Sequence, residues 1–141
     1  HGKPTPPAMT SHIFMAAQAD PTIMLGGTLP MLGSGHRVGK GDTIILESCE
    51  YCNSFHHFFP TVAVILNVEA DHLDFFKDLE DVEHSFRAFA DLVPKGGTVV
   101  ANWDDEGVRE TMSGYTGNLC RCSGYEGQLR GIRNYLNSRK G

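Results

Sequence analysis

Long apolar runs are missing from this sequence. The longest, Val62–Val68, falls far short of the ~20 residues that a membrane helix needs. Runs of Lys and Arg are missing too, and the net charge is −5. A nucleic-acid surface needs clustered cations against phosphate, so neither nucleic acid nor membrane is expected as a partner. His1–Pro7 carries no apolar signal region, and a cytoplasmic location is the resulting expectation. Cysteine is scarce: four residues in two close pairs, Cys49/Cys52 and Cys120/Cys122. Without a secretion signal, disulfides are not the first expectation, and a metal or cluster site has to be weighed for each pair.

What is present suits one modest domain with a real core, within 141 residues. Met9, His12, Ile13, Ala16 and Ala17 recur at helical spacing and predict a helix over Ala8–Gln18, with Pro4, Pro6 and Pro7 confined to its entry. Thr22–Leu25 reads as a short strand and the Gly-rich Leu29–Asp42 as a loop. Thr43–Glu47, Val62–Val68 and Thr98–Asn102 read as buried strands of one mostly parallel sheet, because their apolar character is continuous. Leu79–Val93 is amphipathic, with Val82, Phe86, Phe89 and Val93 on one face. Strands alternating with helices predict an α/β fold, a mostly parallel sheet flanked by helices. Past Ser113 the texture changes to Gly and Cys, followed by a short helix predicted over Gln128–Arg139.

Ligands of such sheets bind beyond the carboxyl ends of the strands. Glu47, Asn67 through Asp74 and Asn102 through Asp105 all fall there. Glu47 and His72 could share one Mg²⁺, although imidazole is an unusual ligand for so hard an ion. Alternatively, Asp71 and Asp74 cap the following turn or helix while His72 packs locally. The pair Gly2-Lys3 before a helix can end a phosphate loop, or can be a solvated turn.

Together these residues resemble the central domain of the Mur ligase family, a P-loop NTPase-like fold. His1-Gly2-Lys3 with Thr5 is similar to its phosphate loop, and Glu47-Ser-Cys-Glu-Tyr-Cys-Asn-Ser-Phe55 to the segment after its next catalytic strand. Pro60 to Asp74, containing Asn67-Val-Glu-Ala-Asp-His-Leu-Asp74, is the most specific stretch, and Phe75–Asp81 with Ser85-Phe86 continues it. The resemblance covers residues 1–112. It implies an ATP-dependent amide ligase of peptidoglycan precursor synthesis that makes an acyl phosphate and passes it to an amine. ATP, Mg²⁺ and a UDP-N-acetylmuramate-type substrate are the implied cofactors and partner. By the same resemblance Gly2, Lys3 and Thr5 bind the phosphates, Glu47 and His72 hold Mg²⁺, and Asn67 lies near them. Two departures stand out. Pro4 occupies the position of the family's Mg²⁺-binding threonine. The family's UDP-sugar and amino-acid domains also exceed 141 residues, so the chain as given is expected to lack ligase activity alone.

Gly117-Asn-Leu-Cys-Arg-Cys-Ser-Gly-Tyr125 resembles a second family, the [2Fe–2S] subunits of molybdenum hydroxylases of the xanthine dehydrogenase type. That resemblance covers residues 113–141 and implies Cys120 and Cys122 as iron ligands on helices. An orphaned motif with free thiols is the alternative. A join near Met112 then predicts that the two cysteines sit on a segment packed loosely, if at all, against the core.

Overall fold

The computed structural model describes residues 5–122. Gly2, Lys3 and the helix expected over Gln128–Arg139 lie outside the described residues. The chain divides into two compact units, the first ending at Cys49 and the second beginning at Glu50.

The first unit opens with α1 (Thr5–Ala16), followed by β1 (Thr22–Leu29), β2 (Ser34–Arg37) and β3 (Ile44–Leu46). β1 is central, antiparallel to β2 and parallel to β3. Ile23 and Ile45 pair in register and are buried, as is Leu29. The stretch expected as a Gly-rich loop is in part a hairpin. Its turn closes where the Gly33 amide donates to the Leu29 carbonyl at 3.0 Å, with Gly33 at φ +63°. Such a backbone is cheap for glycine alone, which is why the sequence reads as loop there.

The face of α1 also differs from expectation. Met9 and Ile13 are exposed, whereas Ser11 is fully buried and donates its hydroxyl to the Pro7 carbonyl at 2.7 Å. A small side chain that satisfies its own hydrogen bond suits the buried side of a helix better than the spacing of large apolar groups suggests. The entry to β1 is fixed by Asp20, at φ +48°, whose carboxylate accepts from the Arg37 guanidinium and from the Lys40 amide at 2.9 Å.

The second unit contains a short 3₁₀ segment (Tyr51–His57), β4 (Val62–Ile65), α2 (Leu79–Asp91), β5 (Thr98–Asn102), α3 (Glu106–Thr111) and β6 (Leu119–Cys122). Its sheet runs β4-β5-β6, parallel throughout. The expected parallel sheet flanked by helices is therefore present. The three strands assigned to one sheet divide, however, since Ile44–Leu46 pairs with β1 while Val62–Ile65 and Thr98–Asn102 pair with each other. Ala63, Ile65, Val99 and Ala101 point to one side, where Val82, Phe89, Ala90, Val108 and Met112 cover them. On the other side Val62 and Val64 are 57% and 51% exposed.

The largest correction concerns the residues beyond Met112. Leu119–Cys122 is a strand of the sheet, with Cys120 opposite Val100 and Cys122 opposite Asn102, rather than the loosely packed segment expected for the two cysteines. The connection is fastened to α2. Arg87 donates to the Ser113 carbonyl at 2.9 Å and lies over the Tyr115 ring, and the Tyr115 hydroxyl donates to the Ala90 carbonyl at 3.2 Å. A backbone ladder needs no particular side chain, so an odd motif can still extend a sheet.

Asp105 ties the helix layer to the strand ends. One carboxylate oxygen accepts from the Val108 amide at 2.9 Å, capping α3, and from the Val68 amide at 3.2 Å. Replacing Asp105 by Ala is expected to cost about 1–2 kcal/mol, the usual cost of an N-cap, with Asp105→Asn recovering most of it; urea unfolding measures both. A second expectation concerns acid. The Arg37 hydrogen bond, joined by the Lys40 amide, holds the Asp20 carboxyl below its ordinary value of 3.8. A depressed pKa gives stability that is complete above that value and is lost as pH falls below it. Thermal melts between pH 7 and pH 2.5 should therefore show a smaller acid loss in Asp20→Asn, which tolerates the same positive φ, than in the parent.

Candidate functional site at the ends of the strands

The site in the second unit begins where β4 stops. The strand expected to run to Val68 ends at Ile65, and the chain then crosses the sheet edge. The Asn102 side-chain amide donates to the Leu66 carbonyl at 3.0 Å, joining the exits of β4 and β5. Asn67 donates to Glu69 at 3.2 Å. The next residues form a tight turn. The Asp71 carboxylate accepts from the His72 amide at 2.8 Å, and the His72 carbonyl accepts from the Phe75 and Phe76 amides, both at 2.9 Å. His72 itself has φ +54°, a left-handed backbone uncommon for a side chain with a Cβ. Burial of Phe76 anchors the far end of the turn.

This conformation aims the His72 imidazole at Glu50, with Nε2 3.5 Å from Oε1. Glu50 is buried, while the His72 side chain is partly exposed. Tyr51 completes the arrangement. Its ring lies 5.0 Å from the His72 ring, and its hydroxyl donates to Asp74 at 3.0 Å. That hydrogen bond to a carboxylate raises the Tyr51 phenol above its ordinary value, because removing the proton would set two negative charges together.

Behind these groups the backbone doubles back at Cys52 and Asn53, both at φ +53°. The bend is held from α2. The buried Ser85 hydroxyl donates to the Asn53 side-chain oxygen, and His56 Nε2 lies 2.8 Å from the Ser85 carbonyl. Phe55 enters the core, stacked on Phe89 at 4.7 Å. Strain at Cys52 and Asn53 is thus offset by a hydrogen-bonded and packed neighbour on each side.

The residues expected at the site fall as follows. His72 and Asn67 lie together on the loop after β4. Glu47 follows β3 in the first unit, where its carboxylate accepts from the Gly26 amide at 2.8 Å. Thr5 is the first residue of α1 and is exposed. The carboxylate set beside His72 is Glu50, which the sequence reading passed over. The clue was available: Glu50 lies three residues after Glu47, within the same segment of catalytic resemblance. Of the two carboxylates considered as caps, Asp71 does bind a turn amide, and Asp74 serves Tyr51 instead.

Cys120 and Cys122 are exposed, free thiols. Among the described residues they join no group of three or more side chains able to hold one metal ion. The iron–sulfur expectation gains no support from this arrangement, since a strand spreads its ligands along a line where a cluster needs four converging sulfurs. No helix among the described residues is long and apolar enough to cross a membrane.

The family model for the Mur ligase middle domain matches residues 1–128, a span that runs through Cys120 and Cys122. UDP-N-acetylmuramate–L-alanine ligase of Clostridium acetobutylicum is 42% identical over 130 residues, which is 92% of this chain and 28% of that relative. The enzyme of the same name from Clostridium botulinum (strain Hall) is 46% identical over 112 residues, 79% of this chain and 24% of the relative. Among solved structures, UDP-N-acetylmuramate:L-alanyl-γ-D-glutamyl-meso-diaminopimelate ligase from Neisseria meningitides superposes with a TM-score of 0.75 at 26% identity, over 84% of this chain and 42% of that one. UDP-N-acetylmuramate–alanine ligase from Thermotoga maritima gives 0.69 at 26% identity, over 78% and 25%. The chain therefore spans about a quarter of the length of the curated relatives it matches, and it belongs to the Mur ligase middle-domain family.

Proposed function

We propose that these residues form the nucleotide- and metal-handling part of an ATP-dependent amide ligase acting on a UDP-N-acetylmuramate-type substrate with an amino acid, as the names of the relatives suggest. The observation that carries the reading is the loop after β4. It spends a left-handed backbone at His72 to set an imidazole against a buried carboxylate at the carboxyl edge of a parallel sheet. Strain of that kind persists where the surrounding structure over-determines it, and such places cluster at ligand sites.

The donor set fits a divalent cation. An imidazole nitrogen and a carboxylate oxygen 3.5 Å apart are close enough to share one ion, and Tyr51 with Asp74 fixes the imidazole from behind. His72 with Glu50 beside it is proposed to hold the ion, and Glu47, in the first unit, is carried as a proposed Mg²⁺ ligand on the family resemblance alone. A Mg²⁺ ion held there would neutralise charge on the phosphates of ATP. Gly2, Lys3 and Thr5 are proposed to contact those phosphates through backbone amides, the ammonium and the hydroxyl. Asn67 is proposed to sit near the nucleotide. The chemistry asked of the protein is positioning and electrostatic stabilisation, because phosphoryl transfer to a carboxylate needs little covalent help.

Pro4 works against this function. It offers neither hydroxyl nor backbone N–H where the related loop carries threonine. Isothermal titration with ATP should show binding that strengthens with Mg²⁺ in the parent chain. In His72→Ala the Mg²⁺ dependence should fall by about tenfold, roughly 1.4 kcal/mol, with nucleotide binding in EDTA unchanged. Affinity indifferent to Mg²⁺ in the parent would remove the reading. Pro4→Thr is expected to tighten Mg²⁺-dependent binding by a similar factor. Phosphate release with UDP-N-acetylmuramate and L-alanine should stay at background for both the parent and Pro4→Thr. These 141 residues cover about a quarter of the relatives' length, so whatever the remaining length contributes to orienting the reactants is missing from this assay. Turnover by either would contradict that expectation.

A further inference from the structure

We infer that Cys120 and Cys122 form a two-sulfur site for a soft, thiophilic ion of low coordination number, of which Cu(I) is the type. β6 pairs with β5 on one side, and no strand among the described residues pairs with its other edge. Side chains two apart on a strand share a face, so both thiols project from the same side. The register defines which side. Arg121, between them, is opposite the fully buried Ala101, and its guanidinium lies 4.5 Å over the Trp103 ring. Cys120 and Cys122 are opposite Val100 and Asn102, on the face where Val64 is half exposed. The ladder continues through both residues, and the Trp103 amide donates to the Cys122 carbonyl at 2.8 Å. The backbone that carries the thiols is therefore set before any ligand arrives.

The spacing selects the kind of ligand. Cα atoms two apart on a strand are separated by about 6.6 Å. Their Cβ atoms project in parallel and stand about as far apart, beyond the roughly 3.5–4.5 Å between Cβ atoms of a disulfide, so direct S–S bonding would require the strand to buckle. A single atom inserted between the sulfurs removes that demand. An S–metal–S unit matches the separation without disturbing the ladder. Thiolate ligands favour Cu(I) over harder ions, and no carboxylate or imidazole joins the pair among the described residues to complete a tetrahedral zinc site. Binding releases two protons: each thiol loses one to solvent, two S–Cu bonds form, and copper stays in the +1 state throughout. The inference does not depend on the proposed ligase role. The site also differs from an iron–sulfur centre in needing two sulfurs and no inorganic sulfide.

The test is anaerobic titration of the reduced 141-residue chain with Cu(I) against bicinchoninate, which reports transfer of copper by loss of its colour. One equivalent should be withdrawn by the parent and by a Cys49→Ser/Cys52→Ser double variant. Cys120→Ser and Cys122→Ser should each lose it. Iodoacetamide labelling read by mass spectrometry gives an independent measure on the unaltered chain. One equivalent of Cu(I) should protect Cys120 and Cys122 together, and leave labelling of Cys49 and Cys52 unchanged. Retention of the equivalent in either single variant would overturn the inference. So would its loss in the double variant, or protection of only one of the two thiols.

Discussion

The parallel ladder through β5 is the constraint on which the second unit rests. β5 is hydrogen-bonded on both sides, so its odd residues, Val99 and Ala101, are driven fully under the helix layer. Once they are buried, the phase of both neighbours follows, because a slip by one residue would turn every apolar side chain outward. Ala63 and Ile65 of β4 then meet the same core. The exit of β4 falls beside the exit of β5, where Asn102 can bond the Leu66 carbonyl and Asp105 can bond the Val68 amide. The loop bearing His72 starts from this fixed point.

From there the site is built by opposed demands. The turn at His72 and the bend at Cys52–Asn53 both take left-handed backbone at residues other than glycine, and both are costly alone. Each is held by neighbours that have lower-energy reasons to be where they are: Phe55 and Phe76 in the core, Ser85 on α2, Asp71 on the turn amide. Packing free energy is in this way converted into placement of Glu50, Tyr51 and His72 at the sheet edge. The same loops lie within the span that the Mur ligase middle-domain family model matches.

β6 shows how permissive such a sheet is at its margin. The string around Cys120 and Cys122 resembles a cluster motif from another family, yet its backbone extends the ladder in register with β5. An edge strand is recruited by unpaired amides and carbonyls, which read no side-chain identity, while Tyr115 and Arg87 supply local anchorage.

By itself the sequence determined the strongly patterned elements. Thr98–Asn102 and the start of α2 at Leu79 coincide with their predicted bounds, because continuous β-branched residues and an Asp78 cap leave little else to form. The run from Asn67 to Asp74 left two readings open by residue type, turn caps or metal ligands, and only its resemblance to the Mur ligase family singled it out. Tertiary structure decided what no local pattern encodes. It chose Ser11 over Met9 and Ile13 for the buried side of α1, since close approach of a helix depends on the partner surface. It joined β3 to β1 and β4 to β5, because strand pairing is a contact between distant segments. It selected Glu50 as the carboxylate facing His72, because two positive-φ bends, invisible as sequence periodicity, set the direction of both side chains.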